Sequence, residues 1–218
     1  MLLNCTFCFH ARSHSSESMI DRGGQSSFNV ILCLQSCRTM PTKTRVLALI
    51  ASLSAANVVF RFALAGGPPN VKPVAFLVIV AGVLGGPIVG LSVGWLSMTV
   101  SDLASPFGAG LWTIETSAWM AFVGLVAGRF WSQSQRLVRW RLAVGGFILT
   151  AMFDVGTSVM DSFLFNYPWL PAVLALYVPF ISGSPSPYPF GLAHELTTAT
   201  LLATVGPPLV RQIRKVYR

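Results

Sequence analysis

The sequence predicts an all-α membrane protein of six transmembrane helices with both termini in the cytoplasm, and three observations carry that prediction. Hydrophobic residues fill 53% of the 218 positions and charged residues only 10%, against about 25% charged in soluble domains. The apolar residues come in runs long enough to cross a bilayer core, which takes about 20 residues of helix. The basic residues fall into clusters that six spans place on one face, as the positive-inside rule requires. The net charge of +8 is then explained by orientation and by contact with anionic membrane lipid, with no nucleic acid partner. No soluble catalytic domain fits in what remains.

Residues 1–39 stand apart. They hold all four cysteines, Cys5, Cys8, Cys33 and Cys37, in a Ser-rich stretch without apolar periodicity. With His10 and His14 these could be read as a zinc site, but the spacing matches no standard finger and no metal is expected. Nor is there the basic start and apolar core of a signal peptide. The expectation is a disordered or mis-called extension, with Met40 as the start of the six-helix domain 40–218.

The first span, 46–65, opens after Lys43 and Arg45 and closes on Gly66-Gly67-Pro68-Pro69. Residues 73–100 are almost continuously apolar, yet Gly85-Gly86-Pro87 interrupts them, because proline removes a helix hydrogen bond and glycine loosens the backbone. This region reads as two short helices. The loop "SDLASPFGAG" leads to a fourth span, 111–130. The bases Arg129, Arg136, Arg139 and Arg141 precede a fifth, 142–163, and the sixth, 190–210, runs into "RQIRKVYR". The stretch "PWLPAVLALYVPFISG" is short and bounded by prolines, so it reads as interfacial or re-entrant rather than as a crossing.

On this map the hinge "RFALAGGPPNVKPV", the 101–110 loop and the 166–189 loop share the outer face. After Met40 only five acids remain, Asp102, Glu115, Asp154, Asp161 and Glu195, and each lies inside or at the end of a span. Ionisable groups at that depth are expensive and normally face an interior or a water-filled cavity. Arg61, Asp102, Glu115, Asp161, His194 and Glu195 converge at one outward depth and suggest a pocket for a small polar molecule. Asn70 and the prolines of the hinge would form its lid. Trp112, beside Glu115 in "GAGLWTIE", offers an aromatic face for a flat heterocycle. The plainer reading is that these groups are ion pairs fixing the bundle, such as Arg61 with Asp102 or Glu195. Asp154 lies deeper and reads as structural, and Lys72 as a solvated flank.

Enzyme readings find little support. "HELTT" begins like HExxH, but Thr198 stands where the second zinc-binding His would fall, and there is no G-x-x-x-x-G-K-[ST] with which the chain could drive its own ATP hydrolysis. No G-x-S-x-G of a serine hydrolase is expected. Two other readings stay open: a self-contained secondary transporter or channel with an intramembrane carboxylate relay, and an intramembrane enzyme using His194 and Glu195. On the first helix, Ala48, Ala51, Ser52 and Ala55 form a small-residue face that lets another helix approach closely, either within the bundle or from a partner.

Taken in order, "PPNVKPV", "GVLGGPIVGLSVG", "SDL" and "GLWTIETSAWMAFVGLVAG" resemble the substrate-binding S component of an energy-coupling factor (ECF) transporter, in the cobalamin-type branch with a PNV-x-PV turn and a G-x-WT loop. The resemblance covers roughly residues 46–129. It implies a six-helix protein that captures a vitamin or similar micronutrient at the outer face. It also implies a T component and two ATPase subunits as partners, ATP being used by those subunits and no cofactor being bound by this chain. Docking on the T component would use the Ala48, Ala51, Ser52 and Ala55 face. Relatives often carry an asparagine where Asp102 stands and a glutamine where Thr116 stands, which bears on the particular ligand.

Overall fold

Why α2, Val74–Gly85, sits where it does follows from its composition. It is apolar on every side, and a helix of that kind has to be covered all round. Its residues from Val74 through Val83 are all buried. The computed structural model describes residues 42–64, 71–106, 108–134, 138–178 and 189–217. Within them the chain is all-helical: α1 Thr42–Ala63, α2 Val74–Gly85, α3 Pro87–Leu103, α4 Leu111–Trp131, α5 Arg139–Leu164, α6 Trp169–Tyr177, α7 Phe190–Thr204 and α8 Gly206–Tyr217. Residues 1–39, with the cysteines and histidines considered above, lie outside the described residues.

Helices α1, α4 and α5 are each long and apolar enough to cross a membrane, and α2 and α3 are shorter apolar helices. This is a multi-span membrane protein. The break between α2 and α3 falls where the sequence placed it. Gly86 takes φ 89°, a left-handed conformation that favours glycine, and Pro87 opens α3, where its missing N–H leaves no bond unmade. The two helices fold back on each other. A Cβ on Gly90 would run into the Gly124 carbonyl, and one on Gly124 into the Gly90 carbonyl. Glycine at these two positions therefore lets the α3 and α4 backbones touch. Residues 90–94 spell G-x-S-x-G, contrary to the expectation that no such pattern occurs. The pattern lies inside α3 rather than on a strand-to-helix elbow, and its glycines are packing positions, so it carries no nucleophile.

The predicted sixth span, 190–210, is divided. Helix α7 ends at Thr204, and Gly206-Pro207-Pro208 start a separate helix, α8. Proline lacks the N–H needed to continue one helix but suits the first turn of the next. Arg214 ties α8 to the bundle by donating to the Val83 carbonyl at 3.1 Å, the Ser132 carbonyl at 3.3 Å and the Ser134 carbonyl at 3.0 Å. Helix α6, nine residues long, reaches only about 14 Å at 1.5 Å per residue. It packs on α5 and α7 without crossing, in keeping with the interfacial or re-entrant reading.

Candidate functional site

Helix α1 is fastened to the α2–α3 hairpin by two polar side chains one helical turn apart. Asn57, 1% exposed, donates from Nδ2 to Ser97 Oγ at 3.1 Å and to the Val74 carbonyl at 3.3 Å. Arg61 Nη2 lies 2.8 Å from Asp102 Oδ1, and Nη1 donates to Ser101 Oγ at 2.6 Å. Asp102 is almost fully buried, whereas Arg61 keeps about a third of its side chain exposed. The Arg61 with Asp102 pairing foreseen as a purely structural reading is thus present, but Arg61 is also a wall residue.

That wall belongs to a cavity of about 310 Å³. Its α5 side carries Asp154, Thr157, Ser158 and Asp161, spaced so that they fall on one helical face. Opposite stand Arg61, Lys72, Val74 and Met98, with Thr116 and Met120 from α4. Leu176 of α6 and Phe190 and His194 of α7 complete the lining. Phe153 and His194 meet edge to face at 6.2 Å, and Phe153 also lines the space. The cavity therefore has apolar surfaces beside a strip of oxygen acceptors and donors.

The α5–α7 seam is polar. His194 Nδ1 lies 3.0 and 3.1 Å from the two oxygens of Asp154, and both residues are buried. One residue along α7, Glu195 accepts a 2.7 Å bond from the Tyr177 hydroxyl of α6, which anchors the short helix over this end. Burial, followed by the hydrogen bond to Glu195 and the charges of Glu195 and Asp154, pushes the Tyr177 hydroxyl well above its usual range. Behind Asp161, Glu115 is 6% exposed and neither of its oxygens has a hydrogen-bond partner, as is true of Asp161 Oδ1. Tyr167, in the α5–α6 connection, has its hydroxyl pushed up by burial and then by Asp161 and Glu115.

Of the residues singled out in the sequence, Arg61 and His194 line the cavity. Asp102 stands one contact behind it, through Arg61, Glu115 lies beside Asp161, and Glu195, bonded to Tyr177, does not line it. Trp112 does not reach it: its ring lies back against Gly110 and is 36% exposed, so the aromatic surfaces come from Phe153 and Phe190 instead. Asn70 lies outside the described residues. Two readings are corrected. Lys72 is half-buried in the lining rather than a solvated flank, and burial together with the Arg61 charge pushes its ammonium below the ordinary value. Asp154, taken as structural, faces the cavity. The spacing Asp154, Thr157, Ser158, Asp161 was available in the sequence as a polar stripe on an otherwise apolar helix, and it was the signal that could have found them. Ala48, Ala51, Ser52 and Ala55 are all exposed on α1, so among the described residues this face is left open.

The family model of the ECF-type riboflavin transporter, S component, matches residues 41–184, well over half of the chain. The match is to the riboflavin type, and the cobalamin-type branch suggested by the resemblance is not supported by it. No curated protein and no solved structure matches the chain. The matched stretch runs from the start of α1 through α6, and so includes the cavity walls contributed by α1 to α6, leaving out those of α7. The chain belongs to the S components of ECF-type riboflavin transporters, and is thus a multi-pass, substrate-binding membrane transport protein and not an enzyme.

Proposed function

We propose that the 310 Å³ cavity captures riboflavin, or a closely related flavin, at the outer face of the cell membrane. The observation that carries this reading is the two-sided lining. Riboflavin joins a flat, largely apolar ring system to a chain of hydroxyls. Phe153, Phe190, Met98 and Met120 offer the first a dry surface, and Asp154, Thr157, Ser158 and Asp161 offer the second a row of hydrogen-bonding oxygens. The size lies at the lower end of the roughly 300–1,000 Å³ of small-molecule sites. Arg61 and His194 orient the ligand directly. Asp102, Glu115 and Glu195 act through the side chains they hold, and Asn70 belongs to the lid formed by the proline-rich hinge. Trp112 serves as an interfacial anchor near the mouth. Family membership supports an energy-coupling module as partner, here taken as a T component with two ATPase subunits that use ATP. The exposed Ala48, Ala51, Ser52 and Ala55 face supports docking on the T component through α1, and the basic clusters support cytoplasmic termini.

Titration of the purified protein with riboflavin, followed by quenching of flavin fluorescence, tests the substrate. Saturable one-to-one quenching that excess cobalamin leaves unchanged is the expected result. Failure of riboflavin to bind, or its displacement by cobalamin, would overturn the reading.

A further inference from the structure

The two facing walls of the substrate cavity differ in the hydrogen bonds they can make. On the α5 wall stand Asp154 and Asp161, with Thr157 and Ser158 between them, and an ionised carboxylate only accepts. On the facing wall stand Arg61 and Lys72, and guanidinium and ammonium groups only donate. Arg61 is partly satisfied by Asp102 Oδ1 at 2.8 Å and Ser101 Oγ at 2.6 Å. Lys72 is not: among the described residues no hydrogen bond or ion pair reaches its ammonium. The acids of the bundle are engaged elsewhere, Asp102 with Arg61, Asp154 with His194 and Glu195 with Tyr177, while Glu115 lies beside Asp161.

Packing among the described residues gives no return for a charge at this place. Lys72 is half-buried, and burial and the neighbouring Arg61 both push its ammonium below the ordinary value. It lies just ahead of α2, whose N-cap is Pro73, and a helix N-terminus disfavours a cation. A lysine stem is long enough to carry its charge out to water, yet Lys72 lines the cavity. Riboflavin, the ligand of the reading on which this inference rests, has edges that match the two walls. Its ribityl hydroxyls can donate and suit the carboxylates of α5. The N1–C2=O edge of its ring system only accepts, and it lies next to the point where the ribityl chain is attached, so one ligand can meet both walls across the cavity. We propose that Lys72, beside Arg61, holds the N1–C2=O edge of the flavin and is a specificity-determining residue of the site, selecting ligands that bring an acceptor edge to this wall.

The test follows the full chain in detergent through riboflavin titration near neutral pH and through reductive titration of the bound flavin. Lys72→Met keeps a long apolar stem without the charge, and Lys72→Arg keeps the charge. Lys72→Met should weaken riboflavin binding about tenfold, as for loss of one charge-assisted hydrogen bond, while the unfolding midpoint of the ligand-free protein should not fall. A positive charge beside N1 and the C2 carbonyl stabilises the negative charge that reduction leaves there, so the midpoint potential of the bound flavin should be lower in Lys72→Met than in the unsubstituted protein. Lys72→Arg should keep most of the affinity and the higher potential. Unchanged affinity in Lys72→Met would overturn the proposal, as would a loss of affinity with no change in potential, the mark of a packing role, or an equal loss in Lys72→Arg. If the unsubstituted protein binds no riboflavin, it is the substrate reading that fails, and this inference with it.

Discussion

Replacing Arg61 by methionine separates what this arginine does for the fold from what it does for the ligand. Its guanidinium lies 2.8 Å from an Asp102 carboxylate that is almost wholly buried, while about a third of the arginine side chain is exposed. Removing one partner of a buried pair typically destabilises by about 3–5 kcal/mol, because the remaining charge has no counterion. The partial exposure of Arg61 places this case at the lower end, about 3 kcal/mol. At about 2–4 °C per kcal/mol for a chain of this size, Arg61→Met should lower the unfolding midpoint by roughly 6–12 °C. Removing both charges, in Arg61→Met with Asp102→Leu, leaves no buried ion and should restore most of the lost stability. Riboflavin affinity should stay low in both variants, since the side chain that lines the cavity is missing from each. The assays are thermal unfolding in detergent by tryptophan fluorescence and flavin quenching at a temperature where both variants are folded. A double variant as unstable as Arg61→Met would refute the argument about the unpaired carboxylate, and full affinity in the double variant would refute the placement of Arg61 in the site.

Asp154→Asn keeps the shape of the α5 wall but removes the charge beside His194, and riboflavin affinity should fall about tenfold or more, as for a charge-assisted hydrogen bond of about 1.5–3 kcal/mol; the quenching titration measures it. Tyr177→Phe breaks the bond to Glu195 and leaves a buried carboxylate without its donor, so the midpoint should drop by an amount corresponding to about 2 kcal/mol, measured by thermal unfolding. Gly124→Leu drives a side chain into the Gly90 backbone and should abolish folding, read as loss of monodisperse protein on size exclusion, whereas Gly108→Ala, with nothing near its Cβ but a positive φ of 70°, should cost only about 1 kcal/mol, a midpoint shift of about 2–4 °C. Ala51→Leu and Ala55→Leu, at exposed positions, should leave riboflavin binding and the midpoint unchanged while preventing co-purification with the coupling module.

How much of this was legible in the sequence depends on the kind of signal each feature sends. Apolar runs and their breakers speak locally, so the Gly86-Pro87 break, the start of α4 and the non-spanning nature of 169–177 were readable one stretch at a time. The Gly206-Pro207-Pro208 break carries the same kind of signal, but the apolar run that continues through it to Val210 hides it. The convergence of ionisable residues at the ends of the spans was readable from the order of apolar runs, and it singled out Arg61 and His194, both of which line the cavity. Which side chains actually face the ligand space depends on helix rotation, which for nearly all-apolar helices the sequence marks only weakly. Trp112 shows the effect, since its ring folds back over Gly110 instead of lining the cavity. On α5 the rotation is marked, by Asp154, Thr157, Ser158 and Asp161 on one face, but the depth of Asp154 in the membrane points toward a structural role and masks that signal. The Tyr177–Glu195 bond joins residues of α6 and α7 across the 166–189 connection, and no local pattern announces it.

The two kinds of contact also assign different mechanical roles to the two sides of the cavity. Helices α2, α3 and α4 meet through glycine, backbone on backbone, at Gly82, Gly90, Gly94, Gly124 and Gly128. Such packing tolerates almost no relative shift, because any sliding brings backbone atoms into overlap. Helices α5, α6 and α7 are joined at the site by Asp154 with His194 and by Tyr177 with Glu195, and hydrogen bonds can exchange partners with a ligand or with water at small net change in free energy. On the proposed function, release of a substrate held between Arg61 and the Asp154 and Asp161 stripe is expected through a shift of the α5–α7 side against the α2–α4 side. Since a partner can shift such an equilibrium only through contacts that differ between its two states, the coupling module is expected to act on the hydrogen-bonded α5–α7 side or on α1, which Asn57 and Arg61 fasten to the α2–α3 hairpin. Weakening that fastening, as Asn57→Ala would, should loosen riboflavin binding even though Asn57 does not line the cavity.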